Sequence, residues 1–481
     1  MNGSAVLYAN GVLLAILGAF MAVPVLLEFL LTGILQVSDF LLPMGACVFV
    51  GLALVFANKS PNGVKLETSD TFLLTSLTWA LLPLFAGLPF YLCSSANLSF
   101  LDAWFEAVSA LTTTGCTMIQ KLTTLPRWII FWRFLLAYIG GVGIIIMGML
   151  ILPLLRIGGM QLFRTESSEK SEKILPSVTQ MSTWIFGIYT GAIFICFIGL
   201  RFCHMSSMDA LCHAISAIST CGLSTHVDSV AGFHSVRCEL VLIGGMLFGG
   251  SSLLLMIRVM KSQKVRLLNN LQWRGYLKTL GVLSVCLALL RWLKNGVPFL
   301  QSLRDGCFTT VSMLTTTGFS HDDYTSWGSY AGVLFLFLGV IGGCTGSTSG
   351  GIKIFRWQVI LISLKAHIMQ LRRPHGIYIP TYDRREITPA ISTSVFLFVV
   401  LYFAIAALAA VVLSLSGIDF QNAVSAALGS LGNLGVGFFD ISTSLNSLPL
   451  TAKLTIMLCM ILGRLEVITL LTLLMPSFWK K

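Results

Sequence analysis

Apolar runs recur along the whole chain, each near the length of about 20 mostly apolar residues that a membrane-crossing helix needs. Ten spans are predicted, near 8–33, 41–57, 71–94, 128–155, 183–203, 236–258, 275–293, 327–365, 389–416 and 449–476. The eighth is too long for a single crossing and is interrupted by glycines. Four shorter, semi-polar stretches lie between spans, at 102–115, 209–222, 305–318 and 422–435. They are too short to cross and too apolar for ordinary loops, a pattern that predicts re-entrant segments.

These four stretches repeat one another. Aligned on Gly115, Gly222, Gly318 and Gly435, they carry Asp102, Asp209, Asp305 and Asn422 thirteen residues upstream. Six residues upstream stand Ser109, Ser216, Ser312 and Gly429. Thr113-Thr114, Thr220-Cys221, Thr316-Thr317 and Asn433-Leu434 lead into the glycines, and Cys116, Leu223, Phe319 and Val436 follow them. Further on, Gly140-Gly141, Gly244-Gly245, Gly342-Gly343 and Gly463-Arg464 align. Such self-similarity is the signature of a repeat architecture. The predicted fold is an all-α membrane protein. Two N-terminal transmembrane helices (1–70) precede four span, pore helix, span repeats at 71–180, 181–270, 271–386 and 387–481.

Composition and charge sharpen this reading. Hydrophobic residues make up 56% of the chain and charged residues 11%, against about 25% charged in a soluble protein, which excludes a soluble fold. A net charge of +11 raises nucleic-acid binding, but no basic segment is long enough to form its own domain. The Lys and Arg instead gather at 59–65, 156–173, 258–278, 353–385 and 480–481. By the positive-inside rule those loops and both termini are cytoplasmic. The four short stretches then enter from outside, and the repeats run parallel around one axis. The first apolar run lacks a basic leader region and a cleavage site, so it reads as a retained span. The twelve Cys form no CxxC or Cys/His metal spacing.

Each repeated feature has a physical use. Asp or Asn is a strong N-cap for a short helix. That helix aims its partially negative C-terminus at the membrane centre, which favours a cation. Non-helical backbone at depth is tolerated where it lines a cavity, and glycine permits the turn. Four loops bring carbonyl oxygens together, and rings of carbonyls replace the hydration shell of K+. The sequence therefore points to a pore for a monovalent cation.

Two features break the symmetry. Residues 342–351 hold five glycines in ten residues, too many for a stable helix, so the third repeat is expected to break where the others continue. Gly346, Ser347, Thr348, Ser349 and Gly350 are the candidate gate. A Walker A loop needs adjacent Gly and Lys, whereas Ile352 separates Gly351 from Lys353. Arg464 replaces the second glycine of the aligned pair, and a charge within a span marks an ion path. It is expected beneath the glycine loops, bonded to carbonyls of 344–351. A structural pair with Glu466 is the alternative, although residues two apart do not face each other on a helix. Asp322 and Asp323 are either a cation-concentrating outer mouth or a solvated loop. His213 reads as a packing residue. No HExxH or GxSxG motif suggests an enzyme.

With these motifs in view, the chain resembles the Trk/Ktr/HKT superfamily of K+ transporters, and most closely its TrkH branch. Gly-Gly-Met-Gln-Leu-Phe-Arg (158–164), Thr-Thr-Thr-Gly-Phe (315–319), the 342–353 glycine segment and Gly-Arg-Leu-Glu (463–466) carry the resemblance. It implies a homodimer with one pore per protomer in the bacterial inner membrane. It implies K+ as the transported ion, selected at the residues around the four glycines, and a pore obstructed by the 344–351 loop. It further implies a TrkA-like cytosolic ring that binds nucleotide and docks on the basic segment 353–385. Gly115, where Na+-passing relatives carry Ser, argues for K+. A Na+- or H+-coupled K+ symporter is the alternative function. The chain departs from the family's usual pattern at Cys116, Cys221 and Ser167-Ser168.

Overall fold

The computed structural model describes residues 2–33, 38–59, 67–155, 178–261, 267–322, 324–383, 385–435 and 445–479. The Gly-Gly-Met-Gln-Leu-Phe-Arg motif, Ser167-Ser168, Asp323 and Val436 lie outside them. The fold is helical, and its strands are two-residue pairs (Ile341–Gly342 with Ile352–Lys353, Thr381–Tyr382 with Arg385–Glu386).

Among the described residues, seven helices are long and apolar enough to cross a membrane: Gly3–Leu30, Asp39–Ala57, Ser69–Leu92, Arg127–Ile146, Gln180–Phe202, Leu271–Asn295 and Pro389–Leu415. The three remaining predicted spans are broken. In the second repeat, Val236–Gly249 and Leu253–Lys261 meet at 88°. In the third, Ser329–Val340 and Ile354–Arg372 flank the glycine segment. In the fourth, Leu450–Arg464 stops before Ile468–Leu474. The expectation that only the third repeat breaks is therefore corrected. The second break falls on Gly250-Ser251-Ser252, and the fourth holds Glu466 at φ +55° and Val467 at φ +36°, backbone that a β-branched residue rarely adopts. In the first repeat, Arg127–Leu155 runs on as one helix.

The N-terminal helix Gly3–Phe20 packs against Ser38–Ala57 and Thr68–Ala86. A Cβ added at Gly11 or Gly51 would come within 2.7 Å of the other's carbonyl oxygen. Such close approach is why small residues line helix contacts in membranes.

Four short helices, Phe100–Leu111, Ser207–Ser219, Phe299–Leu314 and Phe420–Leu431, are the predicted pore helices. Their starts differ from expectation. Ser99, Ser206 and Asp419 are the N-caps, accepting from the amides of Asp102, Asp209 and Asn422. Asp102 and Asp209 thus sit at the third helical position and accept the cap hydroxyl in return, at 2.7 and 2.6 Å. The third helix starts earlier, so Asp305 lies inside it and pairs with Arg291 at 2.9 Å. Asp102 instead ties the first pore helix to the fourth repeat, through Lys453 Nζ at 2.6 Å.

Candidate functional site: a ring of four glycine loops above a buried loop

Every pore helix ends the same way. Thr113, Thr220, Thr316 and Asn433 take left-handed backbone, with φ of +53°, +53°, +57° and +53°. The next residue's amide reaches back to the carbonyl of Ser109, Ser216, Ser312 or Gly429, at 2.9 Å in all four repeats. This is the Schellman helix ending, whose left-handed position glycine usually fills. Three β-branched threonines there are conformational outliers, of the kind that gathers at functional sites.

The aligned glycines follow at φ +85°, +78°, +80° and +121°. A Cβ on Gly115 would lie 2.0 Å from the Cys221 carbonyl oxygen, one on Gly222 1.9 Å from that of Thr317, and one on Gly318 2.5 Å from that of Leu434. The nearest atom to a Cβ on Gly435 is the Thr114 carbonyl oxygen, at 3.9 Å. Each glycine therefore abuts the carbonyl preceding the next repeat's glycine, and the fourth returns to the first. The four loops close into a ring. Asn433 reinforces the closure, donating from Nδ2 to Thr114 Oγ1 at 3.1 Å.

Side chains brace this backbone from behind. Ser109 Oγ donates to the Cys116 carbonyl at 2.7 Å and Ser312 Oγ to that of Phe319 at 2.8 Å. The Thr112 and Thr114 hydroxyls, and those of Thr315 and Thr317, pair at 2.8 Å. Gly429 leaves the fourth repeat without the serine brace. Cys116, Cys221, Leu223, Phe319 and Leu434 are buried around the same ring. His213 is fully buried, with Nε2 2.9 Å from Ser224 Oγ and its ring stacked on Phe319.

The glycine segment of the third repeat lies directly against this ring. Gly350 N–H donates to Thr316 Oγ1 at 2.7 Å, and Thr220 Oγ1 lies 3.2 Å from Thr348 Oγ1. Thr348 Oγ1 also bonds the carbonyls of Ile218 and Gly249, at 3.1 and 2.9 Å. A Cβ on Gly350 would meet the Gly432 carbonyl at 2.1 Å. The hydroxyls of Ser347 and Ser349 are 3.1 Å apart, and the Gly346 carbonyl accepts from the Leu253 amide at 3.1 Å. The segment thus touches the second, third and fourth repeats.

Arg464 reaches the same segment. Its Nη1 donates to the Thr348 carbonyl at 2.7 Å and its Nη2 to the Gly140 carbonyl at 3.1 Å. Glu466 does not pair with it but binds Arg356; it lies past the helix end, at φ +55°. Among the described residues no carboxylate pairs with Arg464, which is 3% exposed.

Several sequence expectations shift here. In the second repeat Gly249-Gly250, not Gly244-Gly245, takes the place of Gly140-Gly141. A Cβ on Gly140 or Gly249 would meet the Leu111 or Ile218 carbonyl, and one on Gly141 or Gly250 the Tyr189 or Tyr276 hydroxyl. Gly244 faces open space. Lys353 and Arg356 fall in the expected docking segment but are buried: Lys353 Nζ donates to the Ser349 carbonyl, and Arg356 holds Glu466. Among the described residues, the exposed Lys and Arg of that segment are Lys365, Arg372 and Arg373. Asp322 is not a free outer-mouth charge, since Arg291 binds it at 2.6 Å. One buried pair had no signal in the repeat pattern: Glu106 in the first pore helix and Arg133, 2.7 Å apart.

Comparisons with known proteins agree with this geometry. The TrkH family model, described as cation transport protein, matches residues 38–481. The Trk system potassium uptake protein TrkI of Halomonas elongata is 36% identical, over 99% of this chain and 97% of that protein. The Trk system potassium uptake protein TrkH of Escherichia coli is 31% identical, over 90% of each. The crystal structure of the potassium transporter TrkH from Vibrio parahaemolyticus superposes with a TM-score of 0.91 at 30% identity, over the whole of both chains.

Proposed function

We propose that this chain, which belongs to the TrkH family of cation transport proteins, takes up K+ through the ring formed at Gly115, Gly222, Gly318 and Gly435. The observation that carries the reading is the closed ring itself, in which each glycine lies against the next repeat's carbonyl. Four carbonyl-bearing loops facing one axis offer a dehydrated K+ the oxygens that replace its water. The inward C-termini of four pore helices add partial negative charge. The potassium uptake named for the Halomonas and Escherichia relatives supports the same cargo.

The 344–351 loop and Arg464 form the gate beneath that ring. The loop is bonded to Thr220 and Thr316 on the ring side and to Arg464 on the other. A guanidinium there adds a repulsive charge to the cation path and holds the loop in place. In the proposed assembly, two chains form a homodimer in the bacterial inner membrane, with cytoplasmic termini. A cytosolic nucleotide-binding ring acts on the gate through the exposed Lys365, Arg372 and Arg373 face. Expression in a bacterium lacking its own K+ uptake systems, with a partner ring supplied, tests the reading. Growth on low K+ supports it, and failure to grow despite membrane insertion refutes it.

A further inference from the structure

The pore helices carry, nine residues before each glycine, Glu106, His213, Thr309 and Ala426. This position faces the far side of its own loop. Glu106 is 1% exposed and accepts from the Met118 amide at 2.7 Å and from Thr117 Oγ1 at 3.1 Å. The chain of bonds continues, because Thr117 Oγ1 accepts from the Ile119 amide at 3.1 Å. Arg133, also 1% exposed, holds the other side of the carboxylate, with Nε 2.7 Å from Oε1. In the second repeat His213 bonds Ser224 in the corresponding place. In the third, Thr309 Oγ1 lies 3.4 Å from the Tyr324 hydroxyl. Ala426 can make no such bond.

We infer that the Arg133–Glu106 pair is a charged strut that positions the outer half of the first glycine loop, and so sets how well the ring distinguishes K+ from Na+. A buried ion pair repays its desolvation only where further N–H or O–H donors satisfy the carboxylate. Arg133 supplies the positive charge, and the carboxylate holds residues 117 and 118 in register just beyond Cys116. The carbonyl of Cys116 is held at the same time by Ser109. The first loop is therefore held at each of its first three residues after the glycine, while the fourth has neither serine nor strut. A carbonyl ring whose loops relax accepts the smaller ion more readily, so the strut acts on selectivity without touching the ion.

This inference rests on the pore reading above. The test uses the full chain in proteoliposomes and measures uptake of labelled Rb+ in competition with unlabelled K+ and Na+. The readout is the ratio of Na+ to K+ concentrations that halve uptake, which a loss of folded protein does not change. Glu106→Gln and Arg133→Met are expected to lower that ratio by about tenfold, the effect of weakening one charge-assisted bond. Arg133→Lys, which keeps the charge, is expected to retain most of it. Lys453→Met removes a different buried ion pair, away from the glycine loops, and is expected to leave the ratio unchanged. Should the buried variants not fold, Thr117→Val removes one donor to Glu106 and is expected to lower the ratio in the same direction. An unaltered ratio in folded Glu106→Gln, or in Thr117→Val where Glu106→Gln does not fold, overturns the strut. An equal fall in Lys453→Met overturns it too. Absence of K+-selective uptake by the unsubstituted chain overturns instead the pore reading beneath it.

Discussion

The Arg464 guanidinium donates to the Thr348 carbonyl at 2.7 Å, joining the fourth repeat's Leu450–Arg464 helix to the loop beneath the glycine ring. Its other terminal nitrogen reaches Gly140 of the first repeat, so one side chain links two neighbouring repeats to the loop of a third. A unit charge about 8 Å from an ion costs it about 2 kcal/mol at an effective dielectric near 20. Arg464→Ala is therefore expected to raise K+ flux by at least about tenfold. Arg464→Lys keeps the charge but cannot span both carbonyls, and is expected to raise it less. Stopped-flow flux into proteoliposomes measures both. Unchanged flux in folded Arg464→Ala would remove Arg464 from the gate.

Thr348 makes the loop's side-chain attachment to the second repeat, through the Ile218 and Gly249 carbonyls. Thr348→Val keeps the shape and loses the one hydroxyl proton that the two carbonyls share, worth about 1 kcal/mol net. The expected result is a higher resting flux with little loss of thermal stability. Equal flux and an equally protected loop in hydrogen exchange would show that the backbone bonds from the Cys344 amide to Gly250 and from the Thr348 amide to Gly249, at 2.8 and 3.2 Å, suffice.

The four glycines are not equally intolerant. A methyl group at Gly115, Gly222 or Gly318 would stand 1.9–2.5 Å from a carbonyl oxygen, but 3.9 Å at Gly435. All four also have positive φ, which costs a side chain about 1–2 kcal/mol. Alanine at the first three is expected to abolish K+ selectivity or folding, and at Gly435 to weaken selectivity least. Rb+ uptake with Na+ competition ranks them. Equal damage at all four would contradict the geometry.

Lys453 and Asp102 join the fourth repeat to the start of the first pore helix. Their side chains are 9% and 16% exposed, so removing one partner leaves a largely desolvated charge. Lys453→Met is expected to destabilise the chain by on the order of 3 kcal/mol. A lower melting temperature in detergent, partly restored in the Lys453→Met, Asp102→Asn double variant, is the predicted outcome. A melting temperature unchanged by Lys453→Met would show that the pair contributes little to stability.

The repeat was legible because each copy needs the same local chemistry: a helix start, a helix end and a positive-φ glycine. Arg464 stood out because a lone charge interrupts an apolar run. The helix starts differ from expectation by one turn because Asp102 and Asp209 sit at the third helical position and bond the cap serine's hydroxyl, which spacing alone does not separate from the cap. The break after Gly249 shows in Gly-Gly-Ser-Ser, but Gly244-Gly245 offers the same pair five residues earlier. The break at Glu466 and Val467 has no composition signal, because tertiary packing imposes that backbone. The Arg133–Glu106 strut joins residues 27 positions apart, and nothing in a single sequence marks them as partners.

The central claim is that the backbone carbonyls around the four glycines bind K+. A crystal structure of the chain grown in Rb+, with anomalous scattering recorded at the rubidium edge, tests it most directly. The account predicts a peak on the ring axis, coordinated by carbonyls of the four loops that include Thr114, Cys221, Thr317 and Leu434, and diminished when K+ is added in excess. A ring without the peak, or a peak that Na+ displaces as readily as K+, would contradict it.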